Sequence, residues 1–145
     1  MKLGIGSDHG GYDLKEYVKS YLENHNIHYV DYGTNSKESV DYPDYASKVA
    51  NAVVQKEVDY GIVICGTGIG ISIAANKVKG IRCALCGDVY SARMSKEHNN
   101  SNMLALGARV LGPDLALEIL DAWLKAEFQG GRHAKRIDKI SELEV

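Results

Sequence analysis

The chain has 145 residues, 45% of them hydrophobic and 25% charged, which is enough for one domain with a substantial core. A formal net charge of -2 gives no basic footprint for nucleic acid or an anionic membrane surface, so any anionic ligand must be met by local basic groups. Met1-Lys2-Leu3-Gly4-Ile5-Gly6-Ser7-Asp8 reaches an acid too early for a signal-peptide core, no apolar run approaches a membrane span, and three cysteines fit a reducing compartment, so a cytoplasmic protein is expected.

Strand-like and helical runs alternate from end to end. Lys2–Ser7 reads as a strand followed by a helix over Tyr12–Glu23, and Ile27–Asp31 as a strand before a helix over Tyr42–Gln55. Tyr60–Cys65 leads to Ile69–Lys77, Ile81–Leu85 to Val89–Lys96, and Met103–Leu106 to Asp114–Phe128. The strands are short and apolar, as strands covered on both faces are, and the alternation predicts a five-stranded parallel sheet sandwiched by helices, an α/β fold. Leu115, Ile119, Trp123 and Leu124 recur at helical spacing after Gly112-Pro113, so Trp123 is expected in the core or an interface. Gly130-Gly131 reads as a break before a short basic helix over about 131–141, with Arg132 and Arg136 on one face. With no linker or repeat, residues 1–145 are expected to form a single domain. Cys83 and Cys86 have C-x-x-C spacing, but on a strand that odd offset points them to opposite faces, so two core thiols are expected rather than a redox pair or zinc clasp.

In an open α/β sheet the ligand crevice lies beyond the carboxyl ends of the strands, and polar residues there are expected to converge. The first strand ends in Ser7-Asp8-His9-Gly10-Gly11, the third in Cys65-Gly66-Thr67-Gly68-Ile69-Gly70, and the fifth in Gly107-Ala108-Arg109. Asp41-Tyr42-Pro43-Asp44-Tyr45 is a candidate wall, and the helix ending in Glu97-His98-Asn99-Asn100 is expected at the same edge. Cys65 places a thiol beside a glycine turn and a helix start, where unpaired N–H groups favour negative charge and a thiolate. That arrangement suits a base or nucleophile with an oxyanion or phosphate cradle, and equally a buried cysteine before an ordinary βα turn. Gly66-Thr67-Gly68-Ile69-Gly70 is not a dinucleotide fingerprint, and it lacks the Gly-Lys-Ser/Thr ending of a P-loop. Asp8-His9 reads as a helix-capping turn or as part of an acid–base set with His98. Arg109, Arg132 and Arg136 are either solvated charges or phosphate ligands.

Gly4-Ile5-Gly6-Ser7-Asp8-His9-Gly10-Gly11, Asp41-Tyr42-Pro43-Asp44-Tyr45-Ala46, the run from Cys65 to Lys77, His98-Asn99 and Leu106-Gly107-Ala108-Arg109-Val110 resemble the type B ribose-5-phosphate isomerases over nearly the whole chain. Galactose-6-phosphate and allose-6-phosphate isomerases belong to the same wider group. The resemblance implies a Rossmann-like three-layer α/β/α sandwich with no cofactor and no metal. It also implies an active site between the subunits of a homodimer or dimer of dimers, the C-terminal helix packing on the partner. The implied reaction interconverts ribose 5-phosphate and ribulose 5-phosphate, a step of the pentose phosphate pathway. Cys65 would move the proton between C2 and C1, Thr67 would relay protons between O1 and O2, and the amides of Gly66, Gly68, Ile69 and Gly70 would hold the enediolate. His98 with Asp8 would open the furanose, Asn99 and Tyr42 would contact the sugar, and His9, Arg109, Arg132 and Arg136 would bind the phosphate, some from the partner. Gly87 departs from many relatives, which carry a bulkier polar residue. An aldohexose-6-phosphate isomerase and a non-catalytic phosphate- or nucleotide-binding module are the alternatives.

Overall fold

A computed structural model describes all residues, Met1–Val145. Five strands, β1 (Lys2–Ser7), β2 (His28–Asp31), β3 (Tyr60–Cys65), β4 (Cys83–Leu85) and β5 (Met103–Gly107), form one sheet in the order β2-β1-β3-β5-β4, every pair parallel. Six helices accompany them: α1 (Tyr12–Asn24), α2 (Tyr42–Val54), α3 (Ile69–Ala75), α4 (Val89–Glu97), α5 (Pro113–Lys125) and α6 (Arg132–Glu142).

Right-handed crossovers dictate which helix covers which face. The core accordingly divides into two layers. Leu3, Ile5, Ile62, Ile64, Leu104 and Leu106 of the sheet pack with Val18 and Leu22 of α1, Ala92 of α4 and Ile119 and Trp123 of α5. On the other face Val63, Cys65, Met103 and Ala105 pack with Val49 and Val53 of α2 and Ile71 and Ala75 of α3. Cys86 belongs to the first layer and Cys83 borders the second, as the odd offset requires; burial pushes the Cys83 thiol up to about 12.

Boundaries differ from the periodicity by two residues or more at three places. β4 begins at Cys83 rather than Ile81, because the Arg82 N–H donates to Asn102 Oδ1 (2.8 Å) instead of to a neighbouring strand. α3 stops at Ala75, where Asn76 turns out to hold Cys83 through two side-chain hydrogen bonds, Nδ2 to Cys83 O (3.0 Å) and Cys83 N to Oδ1 (2.8 Å). α5 stops at Lys125 because Ala126 is extended (ψ 150°).

β1 and β3 are neighbours whose following helices leave to opposite faces, which opens a crevice at their carboxyl ends. The exit of β1 is fixed from β2. Ser7 N donates to Gly33 O (2.7 Å) and Thr34 N to Ser7 O (2.8 Å). Gly33 N in turn donates to Asp31 Oδ1 (2.9 Å), while Asp31 Oδ2 accepts from the fully buried Lys15 (2.6 Å) and from Lys19 (2.9 Å). Burial opposes ionisation of Asp31, but these donors hold its carboxyl below the usual value.

Candidate active site

Cys65 ends β3 with its side chain buried, and the Gly68 N–H points at its Sγ (3.2 Å). Gly68 adopts φ 78°, a left-handed conformation that favours glycine, and this turns the chain back over the sulfur before α3 starts. Thr67 Oγ1 accepts from Ile69 N (3.2 Å), so its hydroxyl proton remains free to be given elsewhere. β5 holds this loop from below, Ala108 N donating to Cys65 O and Arg109 N to Gly66 O, each at 2.9 Å. The contact is so close that a Cβ on Gly107 would lie 2.5 Å from Thr67 O.

Asp8 caps a single 3-10 turn, His9–Gly11, by accepting from Gly11 N at Oδ1 (3.0 Å), so its capping role is real. Around Gly10 three groups meet: a Cβ built there would be 3.4 Å from Arg109 Nη2, 3.4 Å from Asp8 Oδ1 and 3.5 Å from Gly66 N. His9 Nδ1 accepts from Val40 N (3.1 Å), which leaves the proton of the neutral ring on Nε2. Tyr42 opens α2 with its ring over Gly70, where a Cβ would come within 2.5 Å of Cζ. Asp8, His9, Tyr42, the Cys65–Gly70 loop and Arg109 are thus gathered at one edge of the sheet, as expected.

His98, Asn99, Arg132 and Arg136 are not at that edge, and this corrects the expected placement of the end of α4. A helix that leaves β4 at its carboxyl end must run back to feed the amino end of β5, and α4 is nine residues, about 13 Å, long. His98 therefore ends α4 beside the start of the sheet. There its ring stacks on His133 of α6, centroids 4.1 Å apart and planes 11° apart. Arg132 and Arg136 flank the pair, and α6 has no acid in its first turn. Basic residues at the positive end of a helix are electrostatically disfavoured, so these side chains do not serve the stability of α6. Partial burial, then the neighbouring His98, Arg132 and Arg136, push the His133 pKa down. His133 was not singled out by the sequence, where only its place beside Arg132 hinted at it.

One chain therefore carries two separate clusters. One has a thiol, an amide loop, a tyrosine and an arginine; the other has two stacked imidazoles and two guanidiniums. Ile69, Ile73, Leu85, Tyr90 and Val110 are exposed on α3, β4, α4 and the segment after β5.

The profile of the Ribose/Galactose Isomerase family matches residues 3–140. A solved structure of ribose-5-phosphate isomerase B from Clostridium thermocellum is similar with a TM-score of 0.99 and 64% identity, covering 99% of this chain and 97% of that one. Ribose-5-phosphate isomerase B of Escherichia coli is 51% identical over 143 residues, 99% of this chain and 96% of its own. D-erythrulose-4-phosphate isomerase of Pectobacterium atrosepticum is 45% identical over 145 residues, 99% of this chain and 95% of its own.

Proposed function

The chain belongs to the ribose/galactose isomerase family, and from that premise we propose how it interconverts ribose 5-phosphate and ribulose 5-phosphate. The observation that carries the reading is the thiol at the carboxyl end of β3 under a loop N–H, 3.2 Å from Gly68 N. In the open-chain aldose, Cys65 as thiolate takes the C2 proton. The C2–H electrons form the C1–C2 double bond, and the carbonyl π electrons move onto O1. Amides of the Gly66–Gly70 loop hold that oxyanion. Cys65 returns the proton to C1, while Thr67 carries the O2 proton to O1, which leaves the ketone at C2.

The furanose must open first, with a proton removed from O1 and one given to the ring oxygen. We assign this to His98 with Asp8, and because the two lie at opposite ends of one chain, the His98 of a site comes from a second subunit. An antiparallel pairing of two copies brings the carboxyl edge of one against the amino edge of the other, twice, which a two-fold axis allows. The exposed Ile69, Ile73, Leu85 and Tyr90 lie where such a pairing would cover them. Arg132 and Arg136 of the second subunit, with His9 and Arg109 of the first, hold the phosphate; Tyr42 and the second subunit's Asn99 contact the sugar. Anchoring the phosphate on remote arginines leaves the amide loop to the reacting end of the sugar. The protein so read is a cytoplasmic homodimer or dimer of dimers.

The Pectobacterium atrosepticum relative acts, by its name, on a sugar one carbon shorter, and a tetrose phosphate is the second reading of substrate. Turnover by purified protein is to be measured on ribose 5-phosphate, D-erythrulose 4-phosphate, allose 6-phosphate and galactose 6-phosphate, with and without chelator, beside Cys65→Ala. The reading predicts greatest kcat/KM on ribose 5-phosphate, insensitivity to chelator, and loss of turnover in Cys65→Ala with phosphate binding retained. Full turnover by Cys65→Ala would refute the role of the thiol.

A further inference from the structure

Lys96 is 3% exposed and takes part in none of the chain's ion pairs, the nearby Glu127 carboxylate acting on it only through space. Its Nζ donates to Trp123 O (3.0 Å) and lies 4.2 Å from the centroid of the Tyr60 ring and 4.4 Å from that of Trp123. An ammonium caged by two aromatic faces and one carbonyl is an expensive way to fill a core, and burial pulls its pKa down to about 8.

The same indole anchors a second chain of contacts. Trp123 Nε1 can only donate, so Ser101 Oγ accepts from it (2.8 Å). Ser95 Oγ spends its proton on Ala92 O (2.8 Å), so the Ser101 hydroxyl donates to Ser95 Oγ (2.9 Å). Every proton in the chain then has one direction and one acceptor. Ser95 and Ser101 bracket Lys96-Glu97-His98-Asn99-Asn100, and their backbones close the loop: Ser101 N donates to Ser95 O (2.9 Å) and Asn100 N to Lys96 O (3.1 Å), with Asn100 at φ 48°. Gln129 N grips Glu97 O (3.0 Å), and Arg82 Nε grips Asn100 O (2.8 Å). His98 and Asn99 project from a loop clamped on both sides.

We propose that Ser95, Lys96, Ser101 and Trp123 are positioning residues that fix His98 for the site of the partner subunit. The proposal rests on the reading of His98 given above. A buried network with all its partners made specifies one geometry, and a displacement of about 1 Å at a reacting group can lower turnover by about a hundredfold. The network therefore acts on turnover through His98, without touching substrate.

The test is a double-mutant cycle on ribose 5-phosphate, with Ser101→Ala and Lys96→Met each made alone and in a His98→Ala background. Each single variant should fold, with its unfolding temperature recorded, and lose about ten- to a hundredfold in kcat/KM. In the His98→Ala background the same changes should cost less than about twofold, because the group they position is gone. Equal losses in both backgrounds would overturn the proposal and make the network merely structural, as would single variants with unaltered kcat/KM. Full activity of His98→Ala alone would overturn it by removing the premise about His98, a result distinct from either.

Discussion

Gly107→Ala presses on the link between the sheet and the amide loop. The added Cβ would stand 2.5 Å from Thr67 O, 2.7 Å from its carbonyl carbon and 3.1 Å from its Cα, all backbone atoms with no rotamer to escape through. To reach the 3.0–3.4 Å of the tightest ordinary contacts, Thr67 O must retreat by about 0.5–0.9 Å. Gly107 is paired with Cys65 across the ladder, so the sheet side yields little and the loop moves. The Gly68 N–H, now 3.2 Å from Cys65 Sγ, is carried with it. Overpacking of this kind costs about 1–3 kcal/mol, or roughly 3–10 °C in unfolding temperature. We expect kcat on ribose 5-phosphate to fall about ten- to a hundredfold, with KM within about threefold, since the phosphate is held elsewhere. Gly87→Ala, whose Cβ meets nothing within 4 Å, is the control and should stay within about twofold of the parent. Steady-state kinetics and thermal unfolding of both variants decide it. A Gly107→Ala protein with parental kcat would refute the claim that β5 sets the position of the catalytic loop.

Gly70→Ala differs because its Cβ meets a side chain, the Tyr42 ring at 2.5–2.9 Å, and that ring is 39% exposed and can swing out. Stability should change by less than about 1 kcal/mol while KM rises several-fold, and an unchanged KM would remove Tyr42 from the sugar's surroundings. Lys96 gives a pH dependence: its native pKa is near 8 against an ordinary 10.5, so between those values the unfolded chain holds the proton that the native one has lost. Stability from this group therefore rises with pH through that window, by at most about 3 kcal/mol, and urea unfolding should show Lys96→Met ahead of the parent by more at pH 7 than at pH 9.5. A constant offset would contradict the caged ammonium. His133 is held below its ordinary 6.5 by burial and by His98, Arg132 and Arg136, so a bound dianion should offset those cations and draw a proton onto the ring. Sulfate, dianionic throughout, should inhibit more strongly at pH 6 than at pH 8; pH-independent inhibition would place the phosphate site elsewhere.

The alternation of apolar runs was enough to place all five strands and to make them parallel, because each strand is covered on both faces and each connection is helical. The Cys65–Gly70 turn and its neighbours Asp8, His9, Tyr42 and Arg109 were legible for the same reason, since strand ends define the crevice. The end of α4 lies away from the crevice that its polar residues suggest, because a helix after a parallel strand returns to the amino ends of the strands. Periodicity also could not show where β4 begins, which depends on the Asn102 side chain taking the Arg82 N–H. Nor could it show Lys96 under Tyr60 and Trp123, or the His98–His133 stack, which join residues far apart along the chain.

Whether two chains build each site is tested most directly by mixing two impaired proteins of low residual turnover, Cys65→Ala and His98→Ala, through unfolding and refolding at equal amounts. Random pairing makes half of the dimers mixed, and each mixed dimer has one site with both groups intact and one with neither. The recovered turnover on ribose 5-phosphate should approach about one quarter of the parent's. Turnover no greater than the average of the two variants, with mixed dimers confirmed by native mass spectrometry, would contradict the shared site.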